Sequence, residues 1–440
     1  PDRLETLVGA HLARPTDADA LVVFHATFTD DRFAERLTGL TPLPLVSWAP
    51  PEPRTGGRLR LNALCGANLA AHLLRRLDRP VHLCRADPRD ATAPGALVDA
   101  LAHPLVGAPR PAEPASGLSH PLPGDAVARP QPGAGLDEVH WPLMDRTRRC
   151  RVEAALVRHA RRLVGAVGDP PDGFGPCRHE PATTGGALDE VPVEVWFDAA
   201  DRVPTEAADE VVRALRAGVS LPADPGDLEP VARLEAGLAD LAHRRRWDAV
   251  ALRCWPETFT GRGAAPCAAV ARLTDAGLPV ACESDTAGAA TMALLADLAG
   301  SPAGLFDLVD VDPGDDTVAV WHCGALPPSL AARPVAGRRH PNRGVPLVVD
   351  GRLAPGRVTV ARLSTSRGLR RLVVGGGEVL DRPAPYRGGC GVVRPDRGAR
   401  AVLETTFGEG LEHHLALVRG DVRDELRAVA AELGLGLVAW

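Results

Sequence analysis

Neither lysine nor isoleucine occurs among the 440 residues, so all 50 basic side chains are arginines. Both missing amino acids depend on A-containing codons, and a GC-rich genome accounts for the bias. The chemical consequence stands regardless. Schiff-base aldolase chemistry, pyridoxal-phosphate attachment and a P-loop each need a lysine amine, so all three are excluded. No CxxC spacing links the nine cysteines, Cys65, Cys84, Cys150, Cys177, Cys254, Cys267, Cys282, Cys323 and Cys390. That excludes a zinc knuckle and, with the odd count, argues for reduced thiols packed as small core residues rather than a disulfide frame. GxSxG and HExxH are absent as well. No apolar run approaches the roughly 18–20 residues of a membrane helix, and the opening PDRLETLVGA lacks the basic-then-apolar pattern of a secretory signal. A cytoplasmic protein is expected. A basic excess is missing too: the net charge is −6 and the pI about 6.2, which argues against a nucleic-acid partner or a membrane surface.

What is present has globular composition, with 45% hydrophobic and 24% charged residues, over a length that suggests two or three domains. Ala20–Ala26, Pro44–Trp48 and Val81–Arg85 read as short strands, with helical spacing around Phe33–Leu37 and over Leu61–Leu77. A Pro/Ala-rich excursion occupies 88–145, where the periodicity fades. A second unit opens with the amphipathic helix Val152–Leu163 and the strand-like LVGAVGD, and continues through Val193–Phe197 and helices near Ala208–Ala217 and Leu228–Arg246. Strand Ala249–Cys254, helix Ala265–Ala276, strand Val280–Glu283 and helix Gly288–Leu298 follow. Strands separated by helices imply parallel sheets with crossovers. Beyond about Phe306 come short β-rich runs, Val318–His322, Pro346–Val349, Gly356–Leu363, Arg371–Val374 and Ala401–Thr406, expected to form an antiparallel sheet or barrel. Val422–Leu433 reads as a closing helix. The expected division is 1–163, an α/β domain holding the excursion; 164–304, a second α/β domain; and 305–440, a β-rich domain.

Ligand sites in open α/β sheets collect beyond the carboxyl ends of strands. Two such ends carry carboxylates: Cys-Trp-Pro-Glu at 254–257, and Cys-Glu-Ser-Asp at 282–285. A third strand end carries Trp321-His322-Cys323-Gly324, and His413-His414 opens LALVRGD. Glu257, Glu283, Asp285, His322, His413 and His414 form a mixed oxygen and nitrogen set suited to Mn²⁺ or another divalent ion. Each has a duller reading: Glu257 as a cap on the following segment, Glu283 and Asp285 as charges favouring the start of the following helix, His322 as a satisfied core histidine, and His413-His414 as a chance surface pair. VVGGGEV at 373–379 reads as a hairpin turn, and the acidic DVDPGDD at 310–316 as a solvated loop without EF-hand spacing. In PRTGGRLRLN, Arg54, Arg58 and Arg60 could meet an anionic or hydroxylated ligand.

CWPETFTGRGAAPC, ACESDTAGAATMALLADLAG, DTVAVWHCGALPPSLA and HHLALVRGD resemble the L-fucose isomerase-like proteins, which are related more distantly to L-arabinose isomerase. HATFTDD, PEPRTGGRLRLNALCGANLAAH and GDPPDGFGPC are similar to the same group. The resemblance is strongest over residues 250–330. It implies an aldose–ketose isomerase, usually Mn²⁺-dependent, with two Rossmann-like parallel-sheet domains followed by a β-rich, barrel-like C-terminal domain. It also implies Glu257 as first carboxylate ligand, Glu283 or Asp285 as the second, and His414 or His413 as the histidine. His322 stands where the arabinose enzymes supply a further one.

On this reading Glu257 and one of Glu283 or Asp285 bind the cation and move protons between C1 and C2 of an open-chain sugar through a cis-enediol. Arg54, Arg58, Trp255 and Trp321 are the expected substrate contacts. L-fucose or D-arabinose is the favoured substrate, with another sugar, including a sulfonated one, as the alternative. A non-catalytic sugar-binding protein on the same scaffold is the competing class. A homo-oligomer, trimer or hexamer, is expected from the relatives.

Overall fold

The computed structural model describes residues 18–107, 144–177, 185–221 and 226–440. Strands β1 (Leu21–Phe24), β2 (Leu45–Trp48) and β3 (His82–Cys84) pair in parallel in that order. Helices α1 (Asp31–Leu40) and α2 (Ala63–Arg76) make the crossovers. α1 starts where the Asp30 carboxylate accepts from the Arg32 amide, a side-chain cap for an otherwise orphaned donor. Part of the proline-rich excursion forms α3 (Ala93–Ala102); its residues 108–143 lie outside those described.

The second sheet is also wholly parallel. It consists of β4 (Leu163–Val167), β5 (Ala187–Val191), β6 (Ala249–Leu252) and β7 (Val280–Cys282), in the order β5-β4-β6-β7. α4 (Arg146–Arg161) precedes it. α5 (Val193–Asp201), α6 (Thr205–Gly218), α7 (Glu229–Arg245), α8 (Glu257–Gly261), α9 (Cys267–Asp275) and α10 (Thr286–Ala299) follow in turn. β6 is AVAL, buried at every position, as expected of a parallel strand covered on both faces.

From β8 (Gly304–Asp312) onward the chain is β-rich: β9 (Thr317–His322), β10 (Ala336–Arg339), β11 (Pro346–Arg352), β12 (Gly356–Ser364), β13 (Arg371–Val379), β14 (Gly389–Pro395), β15 (His414–Arg419) and β16 (Gly436–Ala439). Six of these close on themselves in the circuit β14-β9-β8-β15-β12-β13, with the β13–β14 pairing completing an antiparallel barrel. Closure leaves those six strands without a free edge. α11 (Ala399–Gly408) and α12 (Arg423–Glu432) pack around it. One buried cluster runs from Leu64 of α2 through Val250 of β6 to Phe306 and Val320 of the barrel, so the three sheets share a core. No helix among the described residues is long and apolar enough to cross a membrane.

Three local expectations are corrected. Ala401–Thr406 belongs to helix α11 rather than a strand, because its buried residues, Ala399, Val402, Thr406 and Phe407, recur at helical intervals. The glycines of 373–379 lie inside β13, not in a turn. A Cβ on Gly375 would meet the Trp440 ring at 2.7 Å, and one on Gly377 the Arg394 carbonyl at 2.6 Å, so the run is glycine because neighbours press on the strand. Asp310 is not part of a solvated loop: it is buried in β8, where Arg54 (2.8 Å) and Arg85 (2.6 Å) both bind its carboxylate.

Candidate active site

Glu283 and Asp285 follow β7 immediately, at the carboxyl end of a parallel strand. Glu283 and Ser284 have φ of 60° and 54°, a left-handed conformation that costs non-glycine residues on the order of 1 kcal/mol or more each. The turn is held by Ser284, whose amide donates to Leu252 O (3.0 Å) and whose hydroxyl donates to Gly168 O (2.5 Å). It aims the two carboxylates in different directions. Asp285 turns into the protein, caps α10 by accepting from the Gly288 amide (2.8 Å), and is bound by the fully buried Arg362 of β12 and by His414 Nδ1 (2.9 Å). Burial works to raise its carboxyl, but the Arg362 guanidinium and His414 outweigh it and hold it well below the usual range.

Glu283 points into a cavity of about 400 Å³. Its Oε1 accepts from the Trp255 indole (3.1 Å), and its Oε2 lies 3.1 Å from His413 Nε2 and 3.5 Å from His414 Nε2. Burial would raise this carboxyl, yet the His413 hydrogen bond and the imidazoles of His414 and His322 bring it to about 2. His413 responds in the opposite sense: burial lowers it, but Glu283 and Asp307 leave it raised. His414 is lowered, by burial and by its charged neighbour His413, against the pull of Asp285.

The barrel supplies the remaining groups. In the β15–β8 register His414 is opposite Asp307, a residue the sequence reading passed over. Asp307 Oδ1 is buried without a hydrogen-bond partner among the described residues and lies 3.8 Å from His414 Nε2. A charged residue inside the apolar run GLFDLV was the available signal. His322, at the end of β9, also faces the cavity. Its Nδ1 accepts from the Cys323 amide at 3.0 Å, so the neutral ring carries its proton on Nε2. Burial lowers its pKa, but the neighbouring Cys323, Asp307 and Glu283 raise it to about 9.

Glu257 is elsewhere. It heads α8 with its carboxylate held by Arg253 (2.8 Å), in a separate cavity of about 730 Å³ shared with Asp169, Asp172 and Glu190. The structure therefore does not bring it to Glu283 and the histidines, because the turn after β6 sends Trp255 to one side and Glu257 to the other. Among the expected substrate contacts, Arg58, Trp255 and Trp321 line the smaller cavity, whereas Arg54 is committed to Asp310.

Among the described residues, two groups of side chains have a metal-like arrangement. Ligand atoms of Cys177, Glu283, His413 and His414 lie within 4.8 Å of one another, as do those of Cys267, Cys323 and His340. In the first, burial and the nearby Asp285 and Glu283 carboxylates push the Cys177 thiol well above its ordinary value, so the usable donors are carboxylate and imidazole. Glu283, His413 and His414 fit a hard divalent cation, with the unsatisfied Asp307 Oδ1 beside His414. Asp285 on His414 Nδ1 resembles the outer carboxylate that orients a ligating imidazole. The second group, two thiols and an imidazole, is softer and suits such an ion less.

No protein-family model matches the chain. It is 30% identical over 428 residues to a sulfoquinovose isomerase of Clostridium sp. (strain MSTE9), covering 94% of this chain and 85% of that relative. It is 29% identical over 426 residues to the sulfoquinovose isomerase of Priestia aryabhattai (95% and 84% covered). To that of Alkalicoccus urumqiensis it is 28% identical over 451 residues (100% and 89% covered).

Proposed function

The chain belongs to the family of the sulfoquinovose isomerases, and from that premise we propose that it interconverts sulfoquinovose, a hexose with a sulfonate on C6, and the corresponding 2-ketose. Membership makes it an aldose–ketose isomerase. The relatives favour the sulfonated sugar over L-fucose or D-arabinose, and the motif resemblance to the L-fucose isomerase-like proteins is retained as a wider kinship.

The observation that carries the reading is the convergence of Glu283 from the second sheet with Asp307 and His413 from the barrel on one cavity wall, where a buried carboxylate oxygen is left without a hydrogen bond. Glu283, His413 and His414 would hold a divalent cation, for which we favour Mn²⁺; when bound it supplies a Lewis acid for adjacent sugar oxygens. Both Glu283 oxygens are engaged by Trp255 and His413, whereas Asp307 Oδ1 is not, so Asp307 takes the proton from C2 and returns it to C1. The hydroxyl proton on O2 passes to O1 in the same conversion, and His322 Nε2–H hydrogen-bonds the sugar oxygen on which charge develops. Phe174, stacked against Phe28 at 5.7 Å and edge-on to Trp255 at 5.4 Å, gives the sugar an apolar wall that excludes water.

The test is a panel. Purified protein with Mn²⁺ is offered sulfoquinovose, D-glucose, L-fucose and D-arabinose, and ketose formation is followed together with deuterium uptake from D₂O. Sulfoquinovose should give the highest kcat/KM, lost on chelation and restored by Mn²⁺. Ketose from none of the four would refute the isomerase assignment, and a preference for L-fucose would refute the substrate.

A further inference from the structure

We propose that Arg58 and Arg343 form the anion-reading end of this cavity and bind the sulfonate of the sugar. The inference rests on the substrate class proposed above and assigns that class to particular side chains. Both arginines line the 400 Å³ cavity that holds Glu283, Asp307 and His413. Arg60 lines it as well, and what sets these arginines apart from those at the neighbouring carboxylates is the lack of a neutralising partner. Arg54 and Arg85 share Asp310, Arg253 holds Glu257, and Arg362 holds Asp285. Arg58 and Arg343 have no carboxylate partner among the described residues. Arg343 lies over the Phe259 ring, 5.8 Å from its centroid, a contact that orients the guanidinium without neutralising it.

The backbone around Arg58 is fixed although its side chain is unengaged. The Gly56 amide donates to Pro385 O (2.8 Å), and Gly57 O accepts from the Arg387 amide (2.8 Å). Leu59 is buried against Trp321 and Tyr386. The buried Glu52 carboxylate then accepts from three successive amides, Arg60 (2.6 Å), Leu61 (3.0 Å) and Asn62 (2.9 Å). Pinned on both sides, the Arg58 backbone is set in place before a ligand arrives, which limits the ordering cost to that of its exposed side chain.

Sulfonate is the matching chemistry. It is ionised at any physiological pH and carries three acceptor oxygens, and a planar guanidinium meets two of them with parallel N–H donors. The larger cavity cannot offer this, because Asp169, Asp172, Glu190, Glu194 and Glu257 face a single arginine there. On a chain of net charge −6, guanidiniums without a carboxylate partner favour an anion here over the surrounding surface.

The experiment compares wild type, Arg58→Gln and Arg343→Gln on sulfoquinovose and on quinovose, the same sugar without the sulfonate. Each substitution should raise KM for sulfoquinovose about 10- to 100-fold, the range of a lost charge-assisted hydrogen bond, with kcat within about threefold and quinovose turnover unchanged. Unchanged KM for sulfoquinovose in both variants, or equal losses on both sugars, overturns the assignment. Calorimetric titration with methanesulfonate separates the two readings. Should wild type turn over no sulfonated sugar, the substrate proposal fails, while binding of methanesulfonate by wild type and not by the variants would uphold the anion site. Equal binding by all three proteins, or binding by none, would end it.

Discussion

At the scale of single residues, hydrogen-bond commitments separate carboxylates that look alike in the sequence. Asp285 is spent on Arg362, the α10 cap and His414, and Glu257 on Arg253. Glu283 is held ionised between Trp255 and His413, and Asp307 Oδ1 alone of these is buried without a hydrogen bond. Asp307→Asn is therefore expected to lower kcat by on the order of 10²–10⁴, the usual worth of a general base, with little change in the thermal midpoint. Glu257→Gln should retain kcat within about tenfold. Steady-state kinetics on sulfoquinovose checks both, and the reverse order of sensitivity would return Glu257 to the site. The two carboxylates of 282–285 were visible in the sequence, but which one turns inward depends on two left-handed residues that no periodicity reveals.

At the scale of elements, the pair Asp285–Arg362 ties the start of α10 to β12. Both side chains are fully buried. A buried ion pair gains little over an apolar substitute of the same shape, yet removing one partner strands the other charge at a cost of about 3–5 kcal/mol. Arg362→Leu should lose that much in urea unfolding, and the double substitution with Asp285→Asn should recover part of it. A change below about 1 kcal/mol for the single variant would show that the pair does not hold these elements together. Gly288 belongs to the same device: a Cβ there would stand 2.5 Å from Asp285 Oδ2. The strand–helix alternation of 249–298 was legible because each element is buried in long apolar stretches. α11 was misread because AVLETT is too short to distinguish a period of two from one of 3.6.

At the scale of the whole molecule, two histidines buried in the neutral form contribute to the loss of stability in acid. Burial lowers His25 to about 4, and burial with the charges of Arg162 and Arg370 lowers His159 to about 4, against 6.5 in the unfolded chain. Between those values the unfolded state binds more protons, so each contribution is intact above pH 6.5, declines as the pH falls through the window and is gone below about 4. The difference amounts to roughly 3 kcal/mol per group. Urea midpoints should fall from pH 7.5 to pH 5, and His159→Gln should flatten that slope. An equal slope in the variant would contradict the assignment.

Composition and local spacing determined much by themselves. The missing lysine removed whole classes of chemistry, the alternation of strand and helix up to residue 304 required parallel sheets, and the split β-rich runs after it pointed to a barrel. The motifs placed Glu283, Asp285, His322, His413 and His414 among the candidates. What the tertiary structure alone decided was which of these meet. Asp307 became a candidate only when β8 paired with β15 and set it opposite His414, and Glu257 left the group when the turn after β6 gave it to Arg253. The physical reasons differ: Glu257 is set by a turn and a partner four positions away, whereas Asp307 meets His414 only across the closed barrel. Spacing along a chain fixes the face on which a side chain lies, whereas contacts between residues more than 100 positions apart depend on barrel closure and on how the second sheet docks against it.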